Sequence, residues 1–149
     1  MKFIANSGVE ISSGSIFLED ENSLTTYGEC GNCSLLIENT CLTLDFDITS
    51  KKIIGISGYL GNIGRVPNRN VIIPEYEIAS LFTDSKLVFQ TGIAYKLMMG
   101  TNLFYDNKKR ILLLEAKTRK AGMEQCFMIA ENIYICLSEK HIIKIYIDL

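Results

Sequence analysis

The stretch LTLDFDITSKKIIGISG, Leu42 to Gly58, decides how this chain folds. Leu42, Leu44, Phe46 and Ile48 alternate with Thr43, Asp45 and Asp47, a period of two that sets the apolar groups on one face of a strand. After the polar turn, Ile54, Ile56 and Leu60 resume the apolar pattern, so the segment reads as an antiparallel hairpin. LFYDNKKRILLLEA (Leu103 to Ala116) and IYICLSEKHIIKIYIDL (Ile133 to Leu149) repeat the plan. In the last, Ile133, Ile135 and Leu137 face a return strand in which Ile143, Ile145 and Ile147 share one side and Lys144, Tyr146 and Asp148 the other. The irregular spacing of the three units speaks against a solenoid.

Outward from these hairpins, β-branched, aromatic and long apolar residues cluster at Lys2 to Ala5, Ser34 to Glu38, Val71 to Ile73, Lys86 to Thr91, Tyr95 to Met99 and Gln125 to Ile129. The expected total is about ten strands, with at most one or two short helices. PEYEIASLF is the main helix candidate, because Pro74 suits a first helical position and Ile78, Leu81 and Phe82 fall at helical spacing; an extended reading fits nearly as well. A sheet of that size has nothing else to cover its apolar face, so it must stack or close. The expected fold is mainly β: an antiparallel β-sandwich or partly open barrel, in a single domain over residues 1–149.

Composition bounds the function. At 149 residues, 48% hydrophobic and 21% charged, the chain is long enough for one domain that buries about two thirds of its unfolded surface. No apolar run reaches the roughly 18 residues of a membrane helix, and the start has only Phe3, Ile4 and Ala5 where a signal peptide carries a longer run. A cytoplasmic protein without a membrane partner is expected. Five cysteines form an odd set, and a reducing compartment with all thiols free is the simplest reading. Net charge is −2 but uneven: residues 1–60 carry three lysines and eight acids, residues 61–149 twelve basic and nine acidic residues. An acidic face on the first part would suit a basic partner.

Individual motifs point away from most chemistries. Cys30 and Cys33 in GECGNCS give one half of a zinc knuckle, but Cys41, Cys126, Cys136 and the solitary His141 supply no second half. The pair precedes a strand, whereas thioredoxin-type chemistry places its cysteine at a helix start. Gly58, Gly61 and Gly64 run into Arg65, Val66 and Pro67, which matches neither a dinucleotide fingerprint nor a P-loop, although Arg65 and Arg69 could hold an anion. Asp45 and Asp47 stand about 7 Å apart along a strand, within the range of paired carboxylates, yet His141 sits at a distant hairpin tip. Lys108, Lys109, Arg110, Lys117, Arg119 and Lys120 form the densest basic cluster, and a pI near 5.4 with no aromatic stacking motif disfavours nucleic acid. No catalytic residue, cofactor or metal is assigned.

The order of features from Cys41 to Leu149, namely LDFDITSKKIIGISG, a long loop, LFYDNKKRILLLEA and the terminal AENIYICLSEKHIIKIYIDL, resembles that of small bacterial immunity proteins, which protect a cell from its own polymorphic or contact-dependent toxins. The resemblance implies a noncatalytic protein that occludes the C-terminal domain of a cognate toxin, commonly a nuclease. Since a nuclease cleft is basic, Glu19, Asp20, Glu21, Asp45 and Asp47 become the expected contacts, with Tyr59 and Tyr76 as aromatic anchors. The alternative is a small-ligand-binding barrel lined by Phe89, Tyr95 and Met98.

Overall fold

A computed structural model describes residues 1–97, 99–118 and 121–149. Its thirteen strands are β1 (Phe3–Ser7), β2 (Ser13–Leu18), β3 (Ser23–Gly28), β4 (Cys33–Ile37), β5 (Cys41–Phe46), β6 (Ile53–Tyr59), β7 (Glu77–Thr83), β8 (Ala94–Leu97), β9 (Thr101–Asp106), β10 (Ile111–Ala116), β11 (Glu124–Ala130), β12 (Ile133–Ser138) and β13 (His141–Asp148). The helical content of the described residues is two 3-10 turns, Glu19–Glu21 and Ile63–Arg65. One sheet has the order β1-β7-β11-β12-β13-β10-β9, the other β2-β3-β6-β5-β4-β8. All neighbours are antiparallel except β7 with β11 and β4 with β8.

The alternation read from Leu42 to Phe46 is what packs the sheets together. Leu42, Leu44, Phe46, Leu35, Ile37 and Ile56 meet Leu112, Leu114, Phe127, Ile135, Ile145 and Ile147 in one continuous core. Burying side chains of this size stabilises by about 1.5–3 kcal/mol each relative to exposure, which offsets the cost of ordering so many strands. The mainly β sandwich is therefore observed, with more strands than the pattern suggested. The sheets touch at two corners and do not close into a barrel. At one, β7 pairs β11 through Glu77 and Ile78, then reaches the other sheet, where Thr83 N–H donates to the Lys51 carbonyl at 3.0 Å. At the other, Asn132 bonds the Ser15 backbone through both ends of its amide, at 2.8 and 3.2 Å.

All three hairpins form as β5–β6, β9–β10 and β12–β13. Four expectations need correction, and one hairpin was not expected. The stretch beginning at Pro74 is not helical: Glu77 to Thr83 is extended, because β1 and β11 supply ladder partners that a lone helix there would lack. Lys86 to Thr91 is loop, pinned by Phe89, whose ring packs edge-on against Phe46 and Tyr95. Val71 to Ile73 is likewise no strand. It belongs to a strap that leaves β6, borders the edge strand β9 through Asn68 and Tyr105, and buries Val71 on the outer face of the seven-stranded sheet. The β2–β3 hairpin carried too weak an alternation to be read, since the inward positions Ser13 and Ser15 are polar, their hydroxyls donating to the Ile54 and Ile56 carbonyls, and Gly14 stands between them. Finally, a bulge at Cys136/Leu137 moves Ile142 into the core and turns Ile143 outward, which interrupts the strict alternation expected for the last strand.

The cysteines are corrected as well. Cys126 and Cys136 lie directly opposite each other on β11 and β12, 4.0 Å apart at Cα, and are joined as a disulfide, so the thiols are not all free. Cross-strand neighbours are close enough for a bridge, a proximity that no spacing rule along the sequence reveals.

Candidate functional site

The expected contacts fall in three places. Glu19, Asp20 and Glu21 form the tight turn between β2 and β3, closed by Asn22 in the left-handed region. Register carries this end of the sheet across four strands: Leu18 faces Ser23, Ser23 faces Tyr59, and Tyr59 faces Cys41. Partners in register share a face, and the next row, Phe17, Leu24, Gly58 and Leu42, is the one that points inward. Leu18, Tyr59 and Cys41 consequently stand on the outer face, all exposed, with Tyr59 56% accessible. Four strands at the usual spacing make this row about 14 Å wide.

The acidic turn borders that row. Leu60 N–H donates to the Asn22 carbonyl at 2.8 Å, which locks the turn against the end of β6. Glu19 accepts from the Arg110 guanidinium at 2.7 Å, joining the two sheets at this end, and that bond holds Arg110 above its ordinary pKa. Among the described residues, Asp20 and Glu21 have no cationic partner. Beside Tyr59 lies an open cleft of about 380 Å³ whose floor includes Leu42, Leu60 and Leu103. The arrangement is an apolar and aromatic strip with an acidic rim.

Asp45 stands on the same outer face, two rows along β5, and is half-buried. It accepts hydroxyl hydrogen bonds from Thr26 at 2.8 Å, Thr43 at 3.1 Å and Ser34 at 3.2 Å, so it ties three strands together. Asp47 lies beyond the end of β5, in the β5–β6 turn, where Ser50 N–H and Oγ both donate to it at 2.7 Å and hold its carboxyl below the usual range. The pair are turn and sheet fixtures, and they do not project together from one strand. Tyr76 is on the far side of the molecule, edge-on to Tyr134 at 4.9 Å on the outer face of the seven-stranded sheet. His141 begins β13 there, its Nδ1 at 2.9 Å from the Glu139 carbonyl, apart from both aspartates.

The remaining motifs resolve into structure. Cys33 is buried, with its thiol donating to the Ile93 carbonyl at 3.0 Å, while Cys30 is exposed on the turn; burial pushes the Cys33 thiol up. The two sulfurs of GECGNCS therefore do not converge. Phe89 and Tyr95 pack into the core edge-to-face, and Met98, Arg119 and Lys120 lie outside the described residues. Arg69 is spent on Glu115 at 3.0 Å and on the face of Phe104 at 4.8 Å. Lys109 reaches the Val71 carbonyl at 2.8 Å, so part of the basic cluster fastens the strap. Leu18 and Cys41 were missed from sequence because each became part of the face only through cross-strand register.

No helix among the described residues is long and apolar enough to cross a membrane. In comparisons with protein families, curated proteins and solved structures, no match was found.

Proposed function

We propose that the protein is an immunity protein that neutralises a cognate toxin C-terminal domain in the cytoplasm by binding it through the outer face of the six-stranded sheet. The observation that supports this most is the exposed row Leu18, Tyr59 and Cys41 rimmed by Glu19, Asp20 and Glu21. An exposed aromatic beside an apolar cleft supplies an anchor, and the carboxylates of Asp20 and Glu21, which have no cationic partner among the described residues, favour a basic partner such as a nuclease cleft. Asp45 extends the same face with hydroxyl-rich surface. A standard interface needs about 800 Å² from each partner, and a flat sheet face can supply it without conformational change.

The test is direct. The toxin domain encoded beside this chain is purified, titrated with it calorimetrically, and expressed in cells with and without it. A one-to-one complex at or below about micromolar Kd, with restored growth, is the expected result. No complex at that concentration overturns the proposal.

A further inference from the structure

A second site lies on the opposite side of the molecule, on the outer face of the seven-stranded sheet. Cys126 and Cys136 face each other across β11 and β12, and Glu124 precedes Cys126 by two residues on the same face. One ligand atom from each of the three lies within 4.8 Å of the other two, and among the described residues no other group of histidine, cysteine or carboxylate side chains converges this way. Cys136 is fully buried and Cys126 7% exposed. Glu124 borders a surface cleft of about 330 Å³, shared with Glu115, Gly122 and Lys144, which gives small ions a route to it. Opposite Glu124 stands Ser138, 1% exposed, whose hydroxyl has no hydrogen-bond partner.

We propose that, once the disulfide is reduced, Cys126, Cys136 and Glu124 bind a thiophilic divalent cation such as Zn²⁺, with water from the cleft as the fourth ligand. Two equivalents of a small-molecule thiol reduce the disulfide by exchange, each giving up one electron and one proton and leaving together as their own disulfide, so that Cys126 and Cys136 become two thiols. The incoming cation displaces both thiol protons into solvent. Tetrahedral zinc with bonds of about 2.3 Å to sulfur sets its two sulfurs about 3.8 Å apart, a separation that cysteines on directly opposed residues span without moving the strands. Thiolates select such ions over calcium or magnesium.

Charge closes the argument. Lys144, in register with Cys136, holds both Glu124 oxygens at 2.8 and 2.9 Å. Two thiolates and a carboxylate exceed the cation by one negative charge, and the Lys144 ammonium cancels it. Oε1 of Glu124, 3.7 Å from the Cys126 sulfur, is the oxygen placed to ligate, which leaves the other to Lys144. Binding then links metal to the folded state, because the unfolded chain does not hold the three ligands together.

The experiment uses the full chain and Co²⁺ as a spectroscopic probe. A phosphine reduces the disulfide and leaves as the phosphine oxide with oxygen from water. Co²⁺ should then produce a thiolate-to-metal charge-transfer band and tetrahedral visible bands that saturate at one ion per chain and are displaced by Zn²⁺. Before reduction, neither should appear. Cys126→Ser should abolish the bands, and Glu124→Gln, an exposed position that cannot unfold the core, should weaken affinity at least tenfold. A Cys30→Ser/Cys33→Ser variant should bind as well as the parent. The proposal is overturned if the disulfide stays closed in phosphine, if the reduced protein shows no bands, or if the bands persist in Glu124→Gln at unchanged affinity.

Discussion

The buried carboxylate of Asp106, at the end of β9, accepts the Val71 backbone N–H at 3.0 Å. Together with the Lys109 ammonium on the Val71 carbonyl at 2.8 Å, this bond lets the turn of a hairpin hold the Val71 end of a strap whose other backbone ties, from Pro67 and Arg69, run to Tyr105. The same carboxylate accepts from the N–H groups of Lys108 and Lys109, so it closes the β9–β10 turn as well. Replacing it by alanine should release both. Amide exchange at Val71 should accelerate by orders of magnitude while exchange at Leu44 and Ile145 stays at the global rate. Equal protection at Val71 in the variant would contradict this assignment.

Acid should act through the same group. The Val71 N–H first, then those of Lys109 and Lys108, hold the Asp106 carboxyl below its ordinary value of 3.8, and Ser50 does so for Asp47. A lowered folded pKa means that the unfolded chain takes up protons first as pH falls. The stabilisation is complete above the ordinary value and is lost as pH drops through the lower folded one. The urea midpoint of the parent should therefore fall between about pH 5 and pH 2. In Asp106→Asn/Asp47→Asn the midpoint at neutral pH should be lower, and the acid limb flatter.

The glycines of the GYLGNIGR stretch separate backbone need from ligand contact. Gly58 has φ +127°, and a Cβ there would strike the Cys41 carbonyl, whereas Gly64 has ordinary φ and a Cβ there would meet only the Asn62 side chain, at 3.2 Å. Gly58→Ala should cost more than about 1 kcal/mol, because strain adds to collision, and Gly64→Ala should stay within about 0.5 kcal/mol. Chemical denaturation of the two variants measures the difference. Equal effects would show that Cys41 and Gly58 are not packed as described.

On the proposed binding face, Tyr59→Ala should leave the thermal midpoint nearly unchanged, since the ring is exposed, while weakening the toxin complex by about 2 kcal/mol or more. Glu19→Gln/Asp20→Asn/Glu21→Gln should slow association and reduce its salt dependence, with a smaller effect on dissociation. Tyr76→Ala, on the opposite face, should bind normally. Loss of binding in Tyr76→Ala with none in Tyr59→Ala would move the interface to the other sheet.

Leu42 to Gly58 and the two matching hairpins made the β class legible, because strict alternation about a polar turn has one physical solution, a ribbon with an apolar face that must be covered. Local pattern also located Tyr59 and the Glu19 to Glu21 turn on the surface. It did not reveal β7, where tertiary ladder partners outweighed the helical spacing of Ile78, Leu81 and Phe82. Nor did it reveal β2, whose first two inward positions, Ser13 and Ser15, hold serine in place of large apolar groups.

What alternation along the chain determined was which side chains face inward on a strand. Which strands become neighbours, and hence that Tyr59 lines up with Leu18 and Cys41 while Cys126 meets Cys136, was decided by the packed sheets. Lateral register is set by long-range pairing and by bulges such as that at Cys136, and these depend on how two whole faces fit together. A single strand carries no record of the neighbour it will pair with.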